Sequence, residues 1–153
     1  MGILLLVLLV VLAFWVVGAY NGLIALKNQV ANAWKQIDVQ LKRRHDLIPN
    51  LVNAVKGQMD FERGTLEAVI SARAKALSVT GVAATAKAEG ELTQALGKLF
   101  ALAENYPELK SSANVLQLQQ ELSSTENQLG AARQVYNDTA TQYNTKQAQF
   151  PTN

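Results

Sequence analysis

The chain has no cysteine, which removes disulfides, thiol nucleophiles and cysteine-based zinc sites together and leaves the redox compartment unmarked. It has a single histidine, His45, so no second imidazole is available to complete a metal site of three or four converging ligands. Only three prolines occur, Pro49, Pro107 and Pro151, and aromatic residues are sparse. Charge of either sign is missing from the side chains of the first 26 residues, and Lys27 is the first charged side chain. The net charge of +2 over 153 residues is too small for a nucleic-acid binder. No long segment alternates apolar and polar residues at period two. Together with abundant Ala, Leu, Gln, Asn and Val, this predicts an all-α chain with one modest domain.

What is present begins with MGILLLVLLVVLAFWVVGAYNGLIAL. From Ile3 to Ala19 only Gly18 interrupts the apolar residues, a stretch of roughly 26 Å as a helix, and Leu23 and Ile24 extend it to bilayer length. Trp15 and Tyr20 fall toward its C-terminal end, where amphipathic rings favour the lipid–water boundary. Val17-Gly18-Ala19 resembles a signal-peptide cleavage site. However, the segment lacks a basic start and its apolar run is long, so an uncleaved transmembrane anchor over residues 1–21 is the expectation. Lys27, Lys35, Lys42, Arg43 and Arg44 follow the span and nothing basic precedes it. This predicts a single-pass membrane protein with its C-terminal domain in the cytoplasm.

Residues 22–153 read as an up-and-down antiparallel helical bundle with coiled-coil character. Val30, Trp34, Ile37, Leu41, Ile48, Leu51, Val52 and Val55 trace one helical face, and Pro49 does not shift its phase. Pro49 therefore belongs within a helix or to the first turn of a restarted one, with Asp46 near a cap. Gly57 and Gly64 bracket a reversal. Shorter helices are expected over 65–79 and 85–105, with a turn over 78–86. Tyr106-Pro107 ends the second of them, and Ser111 or Ser112 caps a last helix. That helix carries a heptad stripe of Val115, Leu122, Leu129, Tyr136, Tyr143 and Phe150. Four helices are favoured, because an unbroken helix from 22 to 78 would reach about 85 Å and overshoot any partner. The alternative is three, with one long bent helix.

Six stretches resemble the LemA family: YNGL (20–23), AWKQIDVQLKRR (33–44), DLIPNLV (46–52), LEAV (66–69), AENYPELK (103–110) and ARQVYN (132–137). The resemblance spans nearly the whole chain. It implies a bacterial membrane-anchored helical bundle with no established activity. It also implies an apolar, basic tail after a proline resembling Pro151. Where this chain has Phe61-Glu62 the family tends to have His-Glu.

Chemistry-bearing residues are few. His45 and Asp46 are adjacent, so on a helix they point about 100° apart and form no site. His45 is read as a solvated or salt-bridged structural residue. Tyr106, Tyr136 and Tyr143 are read as core-edge rings with their hydroxyls toward the surface. The glycines form no phosphate-binding pattern. No catalytic residue, cofactor or metal ligand is expected, and the protein is not expected to be an enzyme.

Structural ion pairs are expected instead. If residue 22 is level with residue 150 on antiparallel helices, equal rise sets Asp38 opposite Arg133. The same rise sets Glu126 opposite the Arg43–Asp46 region. The expected pairs are Asp38–Arg133 and Arg43 or Arg44 with Glu126.

The last helix is rich in uncharged amides, among them Gln119, Gln120, Asn127, Gln128, Gln134, Asn137, Gln142, Asn144, Gln147 and Gln149. Such a face suits packing against copies of itself or serves as a neutral polar exterior. Gly18 and Gly22 form one GxxxG at the membrane edge. The expected partners are the lipid bilayer and further copies in a homo-oligomer, with another membrane protein as the alternative and no nucleic acid. The function expected is a non-enzymatic membrane-anchored scaffold that self-assembles. The alternatives are an adaptor or sensor subunit of a membrane protease or transporter complex, and a secreted soluble binding domain.

Overall fold

The computed structural model describes residues 1–152, which form five helices and no strand. They are α1 (Gly2–Gln58), α2 (Arg63–Ser78), α3 (Val82–Ala103), the single turn α4 (Pro107–Lys110) and α5 (Ala113–Ala148). The reversal falls between Gly57 and Gly64 as the glycines indicate. The turn after α2 is shorter than the composition suggests. It occupies Val79–Gly81, and α3 starts at Val82, because Gly81 takes φ 89° and turns the chain in one residue. Ser112 caps α5 by accepting a hydrogen bond from the Val115 N–H at 3.3 Å.

Pro49 lies inside α1 without a restart. Asp46, once a candidate cap, is an exposed mid-helix residue.

Compactness divides the chain at positions other than those composition suggests. One unit is Met1–Gln40 with the chain from Gln128 onward, and the other is Leu41–Asn127.

In the unit of residues 41–127, the C-terminal part of α1, α2, α3 and the N-terminal part of α5 alternate in direction. Arg73 of α2 meets His45 of α1, and Glu126 of α5 meets Arg44. The core is built from Ile48, Leu51, Val52 and Val55 of α1, Leu66 and Val69 of α2, Leu92, Leu96 and Leu99 of α3, and Val115, Leu118 and Leu122 of α5, with Leu109 of α4. Burying such aliphatic side chains is the main term holding the unit together, at about 1.5–3 kcal/mol each. Phe61, between α1 and α2, packs edge-on to Tyr106 at 5.0 Å between ring centroids. At this position the chain carries a packing side chain.

In the other unit α1 and α5 run antiparallel, since Trp34 faces Tyr136, Gly22 faces Lys146 and Trp15 faces Phe150. Trp34 and Tyr136 meet at 5.3 Å between ring centroids. The heptad stripe loses burial along α5. Leu129 is fully buried, Tyr136 and Tyr143 are half-buried and Phe150 is exposed. The most apolar 18-residue window of α1 has no buried residue, so the described residues include one helix long and apolar enough to cross a membrane.

Candidate functional site

The helical face of α1 that carries Leu41, Ile48 and Leu51 also carries Arg44 and His45. A 3.6-residue period places 44 and 45 on the same face as 41 and 48, so the helix must bury a guanidinium and an imidazole. On α3 the face that carries Leu92 and Leu96 reaches back to Ala88 and Glu89, and Glu89 is buried to 1% exposure. Burial of charge is tolerable only when every group is paired.

The pairing is extensive. Arg44, with no exposed surface, donates from one terminal nitrogen to Glu126 Oε2 at 2.7 Å and to Thr93 Oγ1 at 2.9 Å. Its other terminal nitrogen donates to the Glu89 carbonyl at 3.0 Å and to Glu89 Oε2. His45 Nε2 lies 2.6 Å from Glu89 Oε1. An ionised carboxylate only accepts, so Nε2 carries the proton in this contact. The Thr93 hydroxyl donates a hydrogen bond to the Glu89 carbonyl at 3.0 Å. Arg73 of α2 donates to the His45 carbonyl at 2.8 Å. The Arg44 Nε finds no partner among the described residues.

Burial pushes the Glu89 carboxyl up, but the hydrogen bonds from His45 and Arg44 and their positive charge outweigh it. They hold the group below the ordinary carboxylate range. Both Glu89 oxygens are thus engaged, one by the Arg44 guanidinium and the other by the His45 ring. The geometry suits a lock between α1, α3 and α5, and it leaves neither Glu89 oxygen free to take a proton from a substrate. Of the two carboxylates in this cluster, Glu126 is the one open to water. It borders a shallow cleft of about 270 Å³ between α3 and α5, lined by Thr93, Leu96, Phe100 and Leu122. No group of three or more potential metal-ligating side chains occurs among the described residues.

Of the two basic residues expected opposite Glu126, Arg44 makes the contact, whereas Arg43 is exposed. Asp38 and Arg133 form no ion pair. Asp38 follows the buried Ile37 by one position, which turns it about 100° away from the facing helix and leaves it exposed. Glu89 escapes the sequence reading altogether. Its signal was its place three residues before Leu92, on the apolar stripe.

Trp15 and Tyr20 are both about half exposed on the chain, and Trp15 lies 5.8 Å from Phe150 between ring centroids. Gly22 is covered within its own chain, since a β-carbon there would meet Lys146 Nζ at 2.7 Å. The GxxxG face is therefore not free at that glycine.

Residues 33–153 match the model of the LemA family. The chain is 33% identical over 142 residues to Protein LemA of Metamycoplasma hominis, covering 92% of this chain. It spans 64% of the length of that relative. The chain belongs to the LemA family.

Proposed function

We propose that this protein is a non-enzymatic, membrane-anchored helical scaffold that acts by assembling with copies of itself in a bacterial inner membrane. The observation that carries the reading is the beginning of α1, whose apolar side chains from Ile3 to Val17 are left almost wholly uncovered by the rest of the chain. A helix apolar on every side is suited to lipid, where main-chain groups are satisfied internally. The closed Arg44–Glu89–His45 cluster supports a structural role for the buried polar residues over catalysis. The amide-rich exposed face of α5 supports self-association, because few charges would have to be desolvated. Charge asymmetry about the span favours an outside N-terminus and a cytoplasmic C-terminal domain.

The test is purification of the intact chain in mild detergent, followed by mass photometry and intact mass. The expected result is a homomeric particle well above the 16.6 kDa chain plus its micelle, with the apolar segment retained. A monomer removes self-assembly, a stoichiometric foreign subunit favours an adaptor role, and a mature N-terminus near Tyr20 favours a secreted domain. Protease added outside intact cells should leave the bundle undigested, and digestion from outside reverses the orientation.

A further inference from the structure

We propose that the turn following α5 is a second membrane contact, with Phe150 seated in the interfacial layer of the bilayer beside Trp15. The proposal rests on the reading of early α1 as a membrane span. Trp15 lies toward the C-terminal end of the apolar run, four residues before Ala19, at a depth on the side of the span where amphipathic rings favour the lipid–water boundary. A ring at 5.8 Å from Trp15 shares that depth, and Phe150 does so while keeping 77% of its surface uncovered by protein. In water this would be a large exposed aromatic side chain, whereas at the lipid boundary the same surface meets acyl chains.

Lys146 calibrates the depth. It is one helical turn before Phe150, and its ammonium lies over Gly22, beyond the apolar run and toward Lys27. A long cationic side chain at that level places its head among the lipid phosphates while its stem stays in apolar surroundings. Part of the main chain of the turn is paired within the turn. The Thr152 N–H donates to the Gln149 carbonyl at 2.9 Å, and the Gln149 N–H to the Lys146 carbonyl at 3.2 Å. The Thr152 hydroxyl donates to the Lys146 carbonyl as well. Each such pair lowers the cost of bringing the turn toward the boundary.

The absence of cysteine makes a depth measurement direct. Single substitutions Val10→Cys, Gln149→Cys and Gln134→Cys are labelled with bimane in the full chain. Each is reconstituted in phosphatidylcholine–phosphatidylglycerol vesicles that carry nitroxide lipids, either near the headgroup or near the acyl-chain end. The expected result is deep quenching at position 10, and at position 149 shallow quenching several-fold above that at position 134. Adding Phe150→Asp should return position 149 to the level of position 134. Deep quenching at position 10 with water-like behaviour at position 149 overturns the second contact and leaves the span standing. Shallow quenching that survives Phe150→Asp overturns the role of Phe150. No quenching at position 10 overturns the span, and this proposal falls with it.

Discussion

Arg73 donates from its guanidinium to the main-chain carbonyl of His45 at 2.8 Å. That carbonyl is the acceptor that residue 49 would serve in a regular helix, and residue 49 is proline, which has no N–H. The acceptor orphaned by a mid-helix proline is thus satisfied from the neighbouring helix, and α1 continues without a restart. Arg73→Met should cost about 1–3 kcal/mol by leaving the carbonyl unpaired. In a Pro49→Ala background the same change should cost much less, since the alanine N–H takes over. Urea melts of the four chains check this. Equal costs for Arg73→Met in both backgrounds would falsify the compensation.

The Arg44–Glu89 pair predicts a large penalty for breaking it one-sidedly. Glu89→Ala leaves a guanidinium without its main counter-ion and should cost about 3–5 kcal/mol. A double change to well-packed apolar residues, Arg44→Met with Glu89→Leu, should restore most of that stability, because no charge is then buried unpaired. Thermal midpoints of the two variants decide it. A double variant no more stable than Glu89→Ala argues against the cluster as a balanced pair.

Acid should act through the same carboxylate. The folded-state pKa of Glu89 lies below its ordinary value of 4.5, so the unfolded chain binds its proton first as pH falls. Its stabilising contribution is complete above that ordinary value and is lost as pH falls through the lower folded value. Arg44 and His45 on α1, Arg73 on α2 and Glu126 on α5 face this group or the residues it holds. The stability difference between the native chain and Glu89→Gln should therefore shrink as pH falls below about 4.5. Urea midpoints at several pH values measure it, and a gap that widens in acid contradicts the assignment.

Arg133→Ala gives a contrasting case. A buried pair with Asp38 would make it cost about 3 kcal/mol or more. With Asp38 exposed and unpaired with it, the change should cost less than about 1 kcal/mol. A penalty of the larger size in a chemical melt would show that Arg133 has another buried partner.

The helical character, the membrane-length apolar start, the break near Gly57–Gly64 and the stripes that form the core were all legible from period and punctuation. These are local properties of the chain, and hydrophobic spacing reports them directly. The antiparallel register of α1 and α5 was also accessible, because equal rise per residue makes it simple counting, and it set Glu126 against the stretch holding Arg44. Counting along an axis does not give rotation about it. A one-residue offset turned Asp38 out to solvent and Arg44 into the core, and it set Arg43 outside while its neighbour became fully buried. Glu89 and Arg73 come from α2 and α3, whose placement around α1 no local pattern encodes. Only the packed bundle decided which carboxylate would neutralise Arg44 and which donor would serve the carbonyl left open by Pro49. Those choices depend on burial, which is a property of all the helices together.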